Sequence, residues 1–139
     1  MIKIGFYPMV ADVLHTGHIM AIAEAKQHCD YLIIGLHCCP NYKNPVQTIF
    51  ERFAQLDALL DVDKVIPYQD VNDVKNIITS LKFDVFFLGE DHKGENWEGR
   101  KEVESMQKEI YYLSRKHGFS STDLKKRIID RSNKENKVC

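Results

Sequence analysis

Two histidines, His15 and His18, stand three positions apart around Gly17, directly after an apolar run that reads as a strand and directly before a helical pattern. Side chains of this kind at this spacing suit phosphate chemistry. The first N–H groups of a helix have no intrahelical partner, and the dipole at that end favours an anion. Glycine lets a bulky ligand approach the main chain closely. Imidazoles beside it donate hydrogen bonds to phosphate oxygens or neutralise developing negative charge. On residue types alone, helix capping by one or both rings stays open.

A second group of the same character lies near the other end of the chain. Ser120, Ser121 and Thr122 follow Gly118 at the start of a helical pattern and offer hydroxyls beside free N–H groups. Arg115, always charged and able to bind phosphate through two donors, precedes them. Ordinary N-capping is the competing reading of the hydroxyls. Asp12 precedes His15 by three residues and is placed to orient a histidine, to help hold a magnesium ion with substrate phosphates, or simply to end the first strand. Gly89, Glu90 and Asp91 close a buried-type strand and are placed to meet ribose hydroxyls or a base edge. His92, Lys93 and Trp97 read equally as acceptor contacts and as loop packing.

The elements that must position these residues alternate regularly. Strands are expected over 2–7 (ended by Pro8), 31–36, 64–68, 84–89 and 109–114; helices over 17–28, 49–61, 70–82, 99–108 and 121–131. Thr48 and Glu51 form a capping-box pattern for the second helix. Residues 37–48 read as a loop, with two prolines and two asparagines. Such alternation predicts an α/β, Rossmann-like parallel sheet of about five strands with helices on both faces. Ligands of such sheets bind beyond the carboxyl ends of the strands, where the strand order reverses, so the loops after strands are the place to look.

At 139 residues and 44% apolar content, the chain supports one core. Residues 1–131 are expected to form that single domain, and 132–139 a polar, fraying tail. Lysine plus arginine (19) balances aspartate plus glutamate (20), which gives no reason to propose a nucleic-acid or membrane surface. The apolar runs are too short for a signal peptide or a membrane span, so a cytoplasmic protein is expected. Cysteines at 29, 38, 39 and 139 have no zinc-ligand spacing and are expected as free thiols.

The HTGH of residues 15–18 has the HxGH form of the nucleotidylyltransferase superfamily. LHTGHIMAIAEAKQHCDYLIIGL resembles the opening of the small bacterial glycerol-3-phosphate cytidylyltransferases, and ERFAQLDALLDVDKVIP resembles their ER-containing helix and VDxVIP strand. FDVFFLGEDHKG is similar to their DVFVMGDDWxG-type stretch, and YYLSRKHGFSSTDLKKRI to their RTxGISTT segment. The resemblance spans about residues 2–130.

It implies a cytidylyltransferase that joins CMP from CTP to a small phosphorylated alcohol or polyol such as glycerol 3-phosphate, with Mg2+ carried on the triphosphate and pyrophosphate released. An adenylyltransferase using ATP, and a nucleotide-binding module without turnover, are the alternatives. By resemblance His15, His18, Arg115 and Lys43 are catalytic; Asp12, Gly17, Gly89, Asp91, Ser120, Ser121 and Thr122 bind nucleotide; Lys43 and Arg52 meet substrate. A homodimer is implied as well.

The chain departs from the family pattern in places. YPMVADVLHTGH replaces YGTFDLLHxGH with one residue inserted, so that Met9 and Val10 stand where a hydroxyl is expected. Asn41 replaces the second lysine of the phosphate loop, Leu60 an arginine attributed to the dimer contact, and Lys116 a threonine.

Overall fold

The computed structural model describes residues 1–134. Five parallel strands, β1 (Ile4–Met9), β2 (Tyr31–His37), β3 (Lys64–Tyr68), β4 (Val85–Gly89) and β5 (Glu109–Leu113), alternate with helices α1 (Thr16–Gln27), α2 (Ile49–Asp57), α3 (Val71–Ser80), α4 (Arg100–Ser105) and α5 (Ser121–Lys134). The sheet order is β3-β2-β1-β4-β5. The chain therefore builds outward from β1 on one side, returns, and builds outward on the other. The reversal lies between β1 and β4, where a crevice opens beyond the strand ends.

The period-2 geometry of the strands sorts the core into two layers. Leu32, Ile34, Leu36 and Phe87 join Ile22 and Ala25 of α1 and Leu56 of α2 on one face. Ile33, Phe6, Phe86 and Leu88 join Val74 and Ile78 of α3 and Val103 of α4 on the other. Continuous apolar runs such as YLIIGL are buried on both faces for this reason.

Several boundaries differ from expectation. β1 continues through Pro8 to Met9, because β4 pairs only with Gly5 and Phe6. Beyond Phe6 the strand has one neighbour, and an edge tolerates a residue without an N–H. α2 stops at Asp57, four residues early, and Ala58–Val62 form tight turns. They deliver Asp63 to its place, where it accepts from Leu32 N and pairs with Lys26. α4 is shorter than its pattern at both ends, and α5 runs to Lys134. The Thr48–Glu51 capping box is formed as the pattern predicts, Oγ1 accepting from Glu51 N at 3.2 Å. Cys29, Cys38 and Cys39 are free thiols. Cys139 and tail residues 135–139 lie outside the described residues. No helix among the described residues is long and apolar enough to cross a membrane.

Candidate active site

A cleft of about 540 Å³ opens at the β1/β4 reversal. Its floor is the end of β1 and the loop that follows, through Asp12; His15, Gly17 and His18 stand on one wall. Lys43 arrives from the loop after β2, Gly89 and Asp91 from the end of β4, and Arg115, Thr122 and Lys125 from the end of the chain.

The histidine pair closes the start of α1 on itself. His15 is the N-cap, with φ −137° and ψ 178°, and its Nδ1 accepts from Gly17 N at 3.0 Å. His18 Nδ1 accepts in return from His15 N at 3.1 Å. A ring nitrogen that accepts an N–H is unprotonated, so each neutral ring carries its proton on Nε2 as a donor. The rings pack with centroids 3.9 Å apart. Burial, with the neighbouring His15 and the Lys43 charge, depresses His18 to about 3. Burial, then the neighbouring His117 and the Arg115 and Lys43 charges, lowers His15 as well. Capping and ligand contact are thus not alternatives: the cap sets the tautomer that aims the donors. These rings are neutral donors at neutral pH and not the cations that charge neutralisation would need.

This arrangement makes stability acid-sensitive. The folded value for His18 lies below the ordinary 6.5, so the unfolded chain gains a proton that the fold refuses. The contribution is complete above about pH 6.5 and is lost towards pH 3, at up to about 1.4 kcal/mol per pH unit. Urea midpoints at about pH 7.5 and about pH 5 check it: the wild type should weaken more than His18→Asn, and equal slopes would refute the assignment.

A Cβ on Gly17 would lie 2.8 Å from His15 Cε1 and 2.9 Å from His117 Cε1. The glycine therefore makes room for two rings over the helix start. On Gly89 a Cβ would collide with Asp91 Oδ1 and lie 2.7 Å from Arg115 Nε. Its absence lets the Asp91–Arg115 pair, at 3.2 Å, cross the end of β4, while Glu90 Oε1 accepts from Arg115 N at 2.8 Å.

Asp12 joins three segments. Its carboxylate accepts from Val46 N and Gln47 N at 2.9 Å and from Lys125 Nζ at 2.6 Å, and its carbonyl accepts from Ser121 Oγ at 2.8 Å. Burial pushes its carboxyl up, but Lys125 and the two N–H groups outweigh burial and hold it below the usual range. Asp12 makes no hydrogen bond to either histidine, and the expectation that it orients one is corrected. Ala11 and Val13 on either side have φ of 54° and 51°. For β-branched Val13 this left-handed conformation costs on the order of 1–3 kcal/mol, held in place by the surrounding bonds.

Arg52 is the clearest correction. It is only 2% exposed and does not line the cleft. Its guanidinium donates to the carbonyls of Gln47 (3.3 Å), Val10 (3.0 Å), His37 (2.8 Å) and Cys38 (2.8 Å). Those donors tie together the ends of β1 and β2, and the guanidinium is spent on main-chain carbonyls away from the cleft lining.

The three hydroxyls divide their work. Ser120 Oγ accepts from Asp123 N at 3.1 Å and caps α5, and Ser121 donates to Asp12. Thr122 lines the cleft with no partner for its hydroxyl among the described residues. Lys43 also faces the cleft without an ion pair among them. His92 lines it too, held by Glu95 at 3.3 Å. Lys93 does not line it, and Trp97 stacks on Phe86 at 5.1 Å and donates to Tyr112 Oη, a packing role. Reading the sequence missed Lys125, whose signal was its position one helical turn after Ser121. His117 does not line the cleft, but its ring stands against Gly17, which does.

The cytidylyltransferase-like family pattern matches residues 6–127. The chain is 33% identical over 121 residues to the glycerol-3-phosphate cytidylyltransferase of Bacillus subtilis (strain 168), covering 84% of this chain and 90% of the relative. It is 35% identical over 127 residues to the bifunctional protein HldE of Hyphomonas neptunium, 87% of this chain but 26% of that longer protein. Among solved structures, the lipopolysaccharide core biosynthesis protein from Thermoplasma volcanium GSS1 shares the fold, with a TM-score of 0.67, 24% identity, and 82% of this chain and 96% of that chain covered.

Proposed function

This chain belongs to the cytidylyltransferase-like family of nucleotidyltransferases, and we propose that within it the protein transfers CMP from CTP to a small phosphorylated alcohol or polyol, with glycerol 3-phosphate the leading acceptor. A phosphate oxygen of the acceptor attacks the α-phosphorus of CTP, the bond to the β-phosphate oxygen breaks, and pyrophosphate leaves with the bonding pair. Such a reaction needs reactants held in line and spread negative charge stabilised, with no covalent step on the protein.

Each part of the cleft has a place in this reading. The Nε2–H groups of His15 and His18 meet the triphosphate and the charge that grows on it. Lys43 and Arg115 supply mobile positive charge, Arg115 exchanging Asp91 for phosphate. Thr122 adds a hydroxyl donor, and Gly89 and Asp91 lie where the nucleoside would rest. No group of three or more His, Cys, Asp or Glu side chains among the described residues is placed to hold a metal ion. Magnesium in this reading is bound by phosphate oxygens and water and lowers the charge of the triphosphate. A homodimer belongs to the same proposal and is checked by sedimentation.

The observation that supports transfer over mere binding is the fixed pair of neutral imidazole donors at the start of α1, beside the cationic side chains of Lys43 and Arg115. Likeness to the Bacillus subtilis enzyme over nearly its whole length supports the choice of CTP and glycerol 3-phosphate. The test is pyrophosphate release from CTP, ATP, GTP or UTP with magnesium and a set of phosphorylated alcohols, sugars and amines. Release that requires both CTP and glycerol 3-phosphate is the expected result. Acceptor-dependent release with ATP alone would replace CTP by ATP, and CTP binding with no release across the set would leave a binding module.

A further inference from the structure

His117 lies outside every role assigned so far, yet its ring stands against the helix start that carries the histidine pair. Its Cε1 is 2.9 Å from the point a Cβ on Gly17 would occupy, and His15 Cε1 lies 2.8 Å from the same point. The two imidazoles therefore flank Gly17. The ring is also held firmly. Gly118, at φ 73°, turns the chain back, and the Phe119 N–H donates to His117 Nδ1 at 2.9 Å. The Phe119 ring stacks on it at 5.7 Å with the planes 19° apart. With Nδ1 accepting, the neutral ring carries its proton on Nε2, one bond from the Cε1 that faces Gly17. That donor has no hydrogen-bond partner among the described residues. On the opposite side, Pro8, Met9, Val10 and Ala11 line the cleft without one side-chain donor.

We propose that His117, which does not itself line the cleft but stands against Gly17 and Phe119, two residues that do, is a third phosphate-binding imidazole, its Nε2–H meeting triphosphate oxygens beside those that His15 meets. The proposal rests on the reading of the cleft as a nucleoside triphosphate site. It gives the end of the chain, which closes over the start of α1, a direct donor to the ligand in addition to Arg115.

The test uses His117→Asn in the full chain. The asparagine Oδ1 replaces Nδ1 as acceptor for the Phe119 N–H, so the turn keeps its bond while the Nε2 donor is lost. Calorimetry with inorganic pyrophosphate and with CTP should show affinity reduced about 10-fold or more, the scale of one hydrogen bond to a charged group. The wild type supplies a measurement that needs no variant: the His117 Nε2 resonance, assigned in an imidazole nitrogen spectrum, should shift when pyrophosphate is added. Unchanged affinity in His117→Asn, or an unmoved Nε2 resonance in a wild type that binds, would overturn the proposal and leave His117 as a turn cap. A wild type that binds neither pyrophosphate nor CTP would overturn the triphosphate reading itself, and this assignment with it.

Discussion

Replacing His18 by asparagine is expected to lower turnover about 10²–10³-fold, with a much smaller change in CTP affinity. The choice of residue follows from the two jobs of the ring. Its Nδ1 accepts from His15 N and completes the cap of α1, while its Nε2 carries the donor. Alanine would remove both and confuse a cap, worth about 1 kcal/mol, with chemistry. Asparagine places Oδ1 where Nδ1 was and keeps the cap, so its urea midpoint should remain near that of the wild type at neutral pH. A donor that strengthens its bond as charge develops lowers the barrier more than it tightens the ground state. Steady-state kinetics of pyrophosphate release decide the matter. Unchanged kcat with a raised KM would remove His18 from the transition state and make it a ground-state contact.

The second large effect is on stability. Arg52→Ala is expected to cost about 3–5 kcal/mol, the scale of leaving several buried carbonyls without a donor. The carbonyls of Val10, His37, Cys38 and Gln47 lose their donor, and three of them lie at or just beyond the ends of β1 and β2. Arg52→Lys keeps the charge but presents one compact ammonium where the guanidinium spans several acceptors. It should recover only part of the loss. Chemical denaturation measures both. If Arg52 instead held substrate, Arg52→Lys would raise KM without moving the denaturation midpoint, and that result would reverse the reassignment made from its buried geometry.

Arg52 also shows what sequence can mislead about. An arginine in an amphipathic helix beside a lysine-bearing loop reads as a ligand contact, because charge normally faces water. Nothing local says that its guanidinium reaches three carbonyls of other segments, those of Val10, His37 and Cys38. Asp12 is the same case. Its neighbours in sequence are the histidines, but its partners are Val46, Gln47 and Lys125, and the last lies 113 positions away. Ser121 lines the cleft as its sequence position suggests, but its hydroxyl is also found on the carbonyl of Asp12, 109 positions away.

What the sequence determined by itself was the order of strands and helices, the parallel sheet, the single core and the placement of the histidine pair at a helix start. These follow from short-range rules: the periods of apolar residues, capping patterns, and the restrictions of glycine and proline. Of the β1 boundaries, expected at 2 and 7 and found at Ile4 and Met9, the second was misread where a neighbour, β4, stops pairing early. Tertiary structure alone decided which polar groups face the cleft and which are consumed in building it. A side chain of Arg52, Asp12 or Ser121 type can satisfy its hydrogen bonds with ligand, water or distant main chain. The choice depends on which segments the fold brings within about 3 Å, a distance that no local spacing encodes. His117 reaches the start of α1 for the same reason: the sheet order sets the end of β5 beside β4, and the chain returning from it closes over the cleft.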